Sequence, residues 1–313
     1  MRILIVGASG LLGSRLALNL AQHGHQVRLG SRNPDSMRSM RGHEVITLRW
    51  DEPQSLQMAC REMDVVLHAA GMNAADCAAD PVGALQINGV ATARLAAAAA
   101  SAGVGCLMYF STAHVYASPL QGRVSEQDCP GNLHPYASSH LAGEFAVLQT
   151  AGSNGLKSVV LRLSNAFGAP GNPDALCWTL LAHDVCRQLA QTGRIRLQSS
   201  GTQWRDFIPL ASVCDVVQRL LVMQDQLGVA QLFNLGGVAM RVIELVQRIQ
   251  ARYLALTGLH ATLECGEPET KVVNPLDFRS ERLIGVVGAI GLDIDGEIDA
   301  LLQYCFDHFA LRN

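Results

Sequence analysis

The fold predicted for this chain rests on one stretch near its start, Ile3-Leu4-Ile5-Val6-Gly7-Ala8-Ser9-Gly10-Leu11-Leu12-Gly13. The apolar run at 2–6 is typical of a buried strand, and a helical stretch follows at 11–23. Gly7 permits a tight turn, Gly10 lets backbone N–H groups approach a pyrophosphate, and Gly13 lets helix and strand pack closely. Together with the partial positive charge at the helix N-terminus, this order predicts a loop that binds the phosphates of a dinucleotide. We expect contacts to that dinucleotide from Gly7, Ser9, Gly10, Leu11, Leu12 and Gly13.

The alternation of strand and helix continues through the first half of the chain. Further apolar runs typical of parallel strands lie at 26–30, 44–48, 64–69, 105–110 and 157–163, with helical stretches near 53–62, 81–103 and 136–151. This rhythm predicts an α/β fold with a Rossmann-type, doubly wound parallel sheet. Such a sheet binds its ligands at the carboxyl ends of its strands.

The rhythm breaks after about residue 164. Helical segments are predicted near 174–192 and 241–257, and 277–311 is predicted to hold short elements ending in a helix. We therefore predict a dinucleotide-binding domain over 1–164, to which 203–237 returns. A smaller C-terminal substrate lobe would consist of 165–202 and 238–313.

Composition excludes several classes of function. The 313 residues carry a formal net charge of −3 without a block of like charge, which argues against nucleic acid or a membrane surface as the main partner. The nine cysteines are scattered and contain no Cys-x-x-Cys, which favours reduced thiols in the cytoplasm. The ten histidines lack the spacing of metal ligands, so no metal is predicted.

The end of the second strand bears on the choice between NAD and NADP. A carboxylate there would hydrogen-bond the ribose 2′-hydroxyl of NAD, but Ser31 and Arg32 occupy the position. Arg32 could form a charge-assisted pair with a 2′-phosphate, so NADP(H) is favoured and NAD(H) stays open. The alternative is that Arg32 is an ordinary exposed loop charge. Asp51, after the third strand, could accept a hydrogen bond from the adenine amino group or cap the next helix.

Tyr136 and His140 are predicted to share one face of a helix, because they lie four residues apart at the start of a helical stretch. Free tyrosine has a pKa of about 10 and needs a nearby cation to act as a base near neutrality. Histidine supplies that charge only when protonated, and its ordinary pKa is about 6.5. The alternative for both residues is a packing role within the helix.

Several motifs in order resemble the extended short-chain dehydrogenase/reductase family, in its NAD-dependent epimerase/dehydratase group. The resemblance covers most of the chain. Its residues are the loop glycines Gly7, Gly10 and Gly13, then His68-Ala69-Ala70, Asn88, Thr112, Tyr136, Arg162 to Gly168, Arg205-Asp206, and Phe233 to Gly236.

The resemblance implies a chemistry and a role for each matched residue. Tyr136 would give or take a proton while hydride passes between a nicotinamide and a carbinol carbon, and Thr112 would hydrogen-bond the same substrate oxygen. His68, Ala69, Ala70 and Asn88 would lie at the cofactor, with Asn88 on a water-linked proton path. Asn165 and Arg205 would contact the substrate, Arg205 through a diphosphate. His140 stands where the family has a lysine that holds the nicotinamide ribose and favours the phenolate.

Other departures from the family concern the substrate. The family's later Arg-Pro-Gly-Asp stretch is replaced by Glu264-Cys265-Gly266-Glu267-Pro268-Glu269, although Lys271 or Arg279 could substitute for its arginine. We expect an NAD(P)-dependent reductase or epimerase of a sugar or nucleotide sugar. Two alternatives stay open: a reductase of a non-sugar carbonyl, favoured by the missing arginine, and a dinucleotide-binding sensor or scaffold with weakened catalysis, favoured by His140.

The helices near 81–103 and 136–151 are rich in Ala, Gly and Ser on several faces. The resemblance implies that they form a homodimer interface. The alternative is close packing within one chain.

Overall fold

A parallel sheet of seven strands organises the computed structural model, which describes residues 1–37, 40, 42–267 and 274–310. In chain order its strands are β1 (Arg2–Val6), β2 (Gln26–Ser31), β3 (Glu44–Thr47), β4 (Val65–His68), β5 (Cys106–Thr112), β7 (Lys157–Leu163) and β11 (Ala230–Leu235). Their spatial order is β11-β7-β5-β4-β1-β2-β3. The order reverses between β1 and β4, where a doubly wound sheet leaves a crevice for a ligand.

The remaining strands form three small sheets. They are β6 (Gly122–Val124), β8 (Asn165–Phe167), β9 (Arg194–Arg196), β10 (Trp204–Pro209), β12 (Val238–Arg241), β13 (Thr262–Glu264) and β14 (Leu276–Phe278). One sheet has the order β12-β10-β8, and the other two are the pairs β13-β9 and β14-β6.

Helices cover both faces of the large sheet and fill the lobe. They are α1 (Leu11–Gln22), α2 (Pro53–Cys60), α3 (Ala74–Ala79), α4 (Pro81–Ala84), α5 (Thr92–Ser101), α6 (Pro135–Gln149), α7 (Leu181–Thr192), α8 (Leu210–Val222), α9 (Val242–Thr257), α10 (Glu281–Val287) and α11 (Ile294–Phe309). Helices α1, α8 and α10 pack in the core on one face of the sheet, and α2, α5 and α6 pack on the other. A separate core joins α7, α9 and α11. Within the described residues, no helix is both long and apolar enough to cross a membrane.

The turn between β1 and α1 requires glycine at two positions. Gly7 has φ +89°, and a Cβ there would lie 2.5 Å from the backbone nitrogen of Ala70. A Cβ on Gly13 would overlap the carbonyl oxygen of Gly7. The loop therefore turns tightly, with Gly7 against the backbone that follows β4 and the first turn of α1 against Gly7.

A buried ion pair ties α6 to the large sheet. Glu144 of α6 accepts hydrogen bonds from Arg162 of β7, with Arg162 Nη2 2.6 Å from Glu144 Oε2, and Ser111 of β5 donates to the same carboxylate. Both ionic side chains are at most 5% exposed. The two charges compensate each other away from water. Removing either one would therefore leave the other buried without a counter-charge.

The predicted strands and helices are found in the structure, with differences in two of the helices. The helix expected at 81–103 is interrupted by a π-helix over Leu85–Ala91, between α4 and α5. The helix expected at 174–192 begins only at Leu181. The predicted α/β fold with a doubly wound parallel sheet matches this architecture.

The large sheet also contains a strand outside 1–164, since β11 pairs with β7. This strand lies within 203–237, the segment predicted to return to the dinucleotide-binding domain. However, α10 packs in the same core although it belongs to 238–313. The domain boundaries themselves stay predictions.

The Glu144–Arg162 pair makes a stability prediction. We expect Glu144→Gln to lower the free energy of unfolding by about 3–5 kcal/mol, because it leaves a buried guanidinium without its counter-charge. Urea unfolding measures the change. The matched control is Glu244→Gln, since Glu244 forms an exposed ion pair with Arg241 at 2.8 Å and should cost less than about 1 kcal/mol. Equal losses of unfolding free energy in the two variants would contradict the prediction that the buried ion pair contributes more than the exposed one.

Candidate active site

The first cavity lies at the carboxyl ends of β1, β2 and β4 and has a volume of about 320 Å³. Its wall consists of Val6, Gly7, Ser9, Gly10, Gly30, Ser31, Arg32, Asn33, Leu48, Trp50, Ala69, Ala70, Gly71 and Ile87. A Cβ on Gly10 would meet only the oxygen of Gly7, at 3.4 Å, so the loop offers bare backbone to the cavity. This fits a phosphate that must approach N–H groups closely at a helix N-terminus.

The second cavity, of about 360 Å³, begins where the glycine loop ends, at Leu11 and Leu12. Thr112, Tyr136, Asn165 and Arg205 line it together, although they come from widely separated segments of the chain. The other lining residues are Asn73, Ala74, Ser111, His114, Leu163, Ser164, Ala166, Phe167, Leu180, Leu181, Ala182, His183, Phe207 and Leu210. These include no carboxylate. The cavity therefore suits a ligand with an anionic group and apolar surface.

Tyr136 is held by the first turn of α6. Pro135 occupies the first helical position, and the Tyr136 backbone N–H donates to Nδ1 of His134 at 3.2 Å. Burial raises the pKa of the Tyr136 phenol, and hydrogen bonding to Thr112 opposes that rise. The Tyr136 phenol and the Thr112 hydroxyl therefore lie next to each other in the wall of the second cavity.

His140 lies beneath Tyr136 and is 5% exposed. The two rings meet edge to face with centroids 4.6 Å apart, and His140 Nδ1 lies 2.8 Å from Oη of Tyr109. Burial lowers the pKa of His140 to about 4. The imidazole is therefore neutral near pH 7 and gives Tyr136 no cation that would stabilise the phenolate.

Asn88 lies in the π-helix and joins three segments around the site. Its Oδ1 accepts from the backbone N–H of Met72 at 2.8 Å, and its Nδ2 donates to Ser139 Oγ at 3.0 Å. Gly143 permits the close approach of α6 to the π-helix, because a Cβ there would overlap the backbone carbonyl oxygen of Asn88. Asn88 thus holds the loop after β4 against α6, below the first cavity.

Some residues predicted to contact the cofactor do not line the first cavity, and their contacts stay predictions. Leu11 and Leu12 line the second cavity rather than the first, and Gly13 serves the packing of the loop. Asp51 is exposed and outside both linings, and the N-cap of α2 is Glu52. His68 is 1% exposed and lies under the cavity floor. Of the two candidate substitutes for the missing arginine, Arg279 pairs with Asp277 and Glu281, and Lys271 lies outside the described residues.

A model of the NAD dependent epimerase/dehydratase family matches residues 3–236. The chain belongs to the NAD dependent epimerase/dehydratase family. The predicted resemblance to extended short-chain dehydrogenases/reductases is confirmed, and the chain is an enzyme of that type.

Relatives in the family include reductases and epimerases. The chain is 29% identical over 229 residues to a GDP-6-deoxy-D-mannose reductase of Pseudomonas aeruginosa, an alignment that covers 70% of each protein. It is 26% identical over 278 residues to a UDP-glucose 4-epimerase of Neisseria meningitidis, which covers 80% of this chain and 82% of the relative. The solved structure of RMD from Pseudomonas aeruginosa complexed with NADPH has a TM-score of 0.77 at 23% identity, covering 98% of this chain and 99% of that one. This likeness confirms the Rossmann-type fold.

Several residues that line the two cavities were not predicted from the sequence as site residues. His114 follows Thr112 by two residues, so the family motif that contains Thr112 could have indicated it. His183 lies in a predicted helix without any motif, and only the fold brings it to the second cavity. Trp50 lines the first cavity where Asp51 had been expected. Tyr109, the hydrogen-bond partner of His140, is not a wall residue; it is buried in an apolar strand, and no motif in the sequence predicts its contact.

Proposed function

We propose that this enzyme uses NADPH to reduce the ketone of a nucleotide-linked sugar, with Tyr136 as the proton donor. The observation that carries the proposal is the neutral imidazole of His140 against the Tyr136 ring. A phenol with a neutral neighbour keeps its proton near neutrality, because no cation stabilises the phenolate. Such a phenol suits proton donation to a developing alkoxide, as ketone reduction requires.

The residues of the second cavity have distinct parts in this reaction. A bound nicotinamide dinucleotide supplies the hydride. Thr112 and Tyr136 hold the carbonyl oxygen by hydrogen bonds, and Tyr136 gives its proton to that oxygen. Leu163, Phe167 and Leu180 provide apolar wall that limits water at the reacting carbon. Epimerisation also needs a phenolate that removes a proton from a carbinol, so this site favours reduction.

Arg205 supports a nucleotide diphosphate as the substrate's handle. Among the charged side chains of the described residues, it is the one that lines the second cavity, and it is exposed to solvent. A guanidinium there, without a carboxylate in the wall, would form charge-assisted hydrogen bonds with phosphate oxygens. The reductase and epimerase relatives are named for GDP- and UDP-linked sugars. A non-sugar carbonyl would leave this guanidinium without an anion.

The preference for NADPH rests on Ser31 and Arg32, which line the first cavity at the end of β2. The carboxylate that would recognise a free ribose 2′-hydroxyl is missing at this position. Arg32 is exposed and within the same wall as the glycine loop, so it would meet a 2′-phosphate without displacing other groups.

We also propose that the enzyme is a homodimer through α4, the π-helix and α6. These elements expose large apolar side chains: Val82 at 66%, Leu85 at 48%, Val90 at 47% and Phe145 at 65%. Large apolar side chains exposed on neighbouring elements are typical of association sites. The free cysteines, most of them buried, support a reducing cytoplasmic location.

Tyr136→Phe tests the proton donor. We expect kcat for ketone reduction to fall by about 10²–10⁴-fold, the usual contribution of a positioned acid, while NADPH affinity measured by fluorescence changes little. Tyr253→Phe is the control, because it removes the hydroxyl of another buried tyrosine in the distant lobe core. Full turnover in Tyr136→Phe would rule out the mechanism. Tight NADPH binding without turnover in the native enzyme would favour the sensor alternative.

Arg32→Ala tests the cofactor preference. The native enzyme should bind NADPH more tightly than NADH, and the substitution should cost NADPH roughly 1.5–3 kcal/mol of binding free energy while leaving NADH unchanged. Fluorescence titration with both nucleotides measures this, and Arg61→Ala removes an exposed arginine outside the cavity wall as the control. Tighter binding of NADH than of NADPH by the native enzyme would contradict the assignment of NADP(H) as the cofactor.

Arg205→Ala tests the diphosphate handle. Calorimetric titration with GDP, UDP and dTDP should show weaker binding by about 1.5–3 kcal/mol for whichever nucleotide the native enzyme accepts. Arg279→Ala is the matched control, since Arg279 is paired with Asp277 and lies outside the cavity. Indifference of the native enzyme to all three nucleotides would favour the non-sugar alternative.

Phe145→Glu tests the dimer. A charge in the centre of the exposed apolar surface should convert the protein to monomers, because an unpaired carboxylate is costly to bury. Sedimentation velocity measures the mass, with Met58→Glu as the control, since Met58 is 66% exposed on a different helix. A native monomer would refute the interface.

A further inference from the structure

Residues 168–172 form a bridging segment between the walls of the two cavities. The segment follows β8, whose residues line the second cavity, and its last residue, Asn172, contacts Ser9 in the wall of the first. The structure describes all five residues of the bridging segment, and none of them lines either cavity. The segment therefore acts on a ligand only through the residues that it contacts.

The bridging segment lies directly against the start of α1. Arg15 Nη1 donates to the carbonyl oxygen of Ala169 at 3.0 Å, and the Gly171 N–H donates to Ser14 Oγ at 3.1 Å. Glycine is required at 171, because a Cβ there would lie 2.6 Å from the carbonyl oxygen of Ser14. These contacts bring the next side chain, that of Asn172, to the glycine loop.

The amide of Asn172 is fully buried and has a defined orientation. Its Nδ2 donates to the carbonyl oxygen of Ser9 at 3.1 Å, and its Oδ1 accepts from the backbone N–H of Asp174 at 3.3 Å. The Ser9 carbonyl can only accept a hydrogen bond and the Asp174 N–H can only donate one, so the two contacts distinguish the amide nitrogen from the amide oxygen. Asn172 is therefore a donor directed at the glycine loop.

The peptide unit between Ser9 and Gly10 is held at both of its ends. Its carbonyl accepts from Asn172, and its N–H donates to the carbonyl oxygen of Gly7 at 3.1 Å. Because Gly10 has no Cβ and can adopt φ of either sign, this peptide would turn over more readily if only one end were held. A turned peptide would set the Ser9 carbonyl against that of Gly7, and the loop would have to open.

The position of this peptide matters for phosphates because Gly10 is the N-cap of α1. The first N–H groups of a helix have no acceptor within it, and such groups bind phosphate oxygens. We infer that Asn172 is a positioning residue that holds the glycine loop in the shape that receives the diphosphate of the dinucleotide. This inference goes beyond the proposed ketone reduction, since it requires only that the loop binds a dinucleotide.

Asn172→Ala tests the role with two ligands that differ at the diphosphate. Adenosine 2′-phosphate has the adenosine and the 2′-phosphate of 2′-phospho-ADP-ribose but lacks its diphosphate. We expect the Kd of 2′-phospho-ADP-ribose to rise about tenfold, the equivalent of about 1.4 kcal/mol, and the Kd of adenosine 2′-phosphate to change by less than about twofold. The loss falls on one ligand because Asn172 acts through the loop that receives the diphosphate. Calorimetric titration measures both constants.

Asn234→Ala is the matched control. Asn234 is also fully buried, its Nδ2 donates to the carbonyl oxygen of Arg279 at 3.0 Å, and it lies outside both cavity walls. Its substitution should leave the Kd of each ligand unchanged. An unchanged Kd of 2′-phospho-ADP-ribose in Asn172→Ala would overturn the inference. So would equal rises for the two ligands, because they would show a general loss of structure.

Amide hydrogen exchange of the native enzyme tests the same link without a substitution, and so covers the case in which Asn172→Ala does not fold. We expect 2′-phospho-ADP-ribose to slow exchange over residues 168–174, because a diphosphate that stabilises the glycine loop also stabilises the segment bonded to it. Adenosine 2′-phosphate should leave exchange in these residues unchanged. Equal exchange with and without 2′-phospho-ADP-ribose would contradict the link.

This inference and the proposed function can fail separately. If the native enzyme binds NADH more tightly than NADPH, ADP-ribose and adenosine make the same comparison. The expected selective loss in Asn172→Ala, in an enzyme that reduces no ketone, would leave this inference standing and remove the proposed function. Ketone reduction by the native enzyme, with equal losses for the two ligands in Asn172→Ala, would do the reverse.

Discussion

The buried ion pair between Glu144 and Arg162 is the constraint on which the site depends. It fixes α6 against β5 and β7, because Ser111 of β5 donates to the same carboxylate that Arg162 of β7 contacts. Helix α6 carries Tyr136 and His140, β5 ends in Thr112, and β7 leads directly into Asn165. Thr112, Tyr136 and Asn165, which line the second cavity, therefore lie on elements that one charged contact in the core holds together. The pair orders the site without taking part in its chemistry.

Around this fixed frame, charge is distributed unevenly. The ionic residues that order the site are buried below it, and the groups expected to act on a substrate oxygen, on Thr112 and Tyr136, are neutral hydroxyls. Burial raises the pKa of Tyr136 and lowers the pKa of His140. Each change keeps the group uncharged near neutrality. Two exposed cations, Arg32 and Arg205, lie in the walls of the two cavities, where we expect the phosphates of bound ligands.

The elements that could be predicted from the sequence are those whose signals lie within short segments. The glycine loop, the early strands and the paired positions of Thr112 and Tyr136 could be predicted because strand runs and motif spacing are properties of short segments. The π-helix at Leu85–Ala91 could not, since it depends on Asn88 bonding to Met72 and Ser139 from other segments. The protonation of His140 was equally out of reach. It depends on burial and on Tyr109, which is 31 positions away in the sequence. Leu11 and Leu12 were predicted to contact the cofactor; they line the second cavity, and the contact stays a prediction.

The π-helix has a consequence for how this chain tolerates insertions and deletions. A π-turn contains one residue more than an α-turn, and each residue of an α-helix advances the side chains by about 100°. Deleting a single residue within Leu85–Ala91 would therefore restore an ordinary α-turn and leave α4 in its present rotation relative to α5. Deleting a residue within α5 would instead rotate α4 by about 100° relative to the end of α5, and would carry Val82 and Leu85 off their present face. The chain can thus lose one residue from the π-helix, but none from α5, without turning its exposed apolar side chains away from that face.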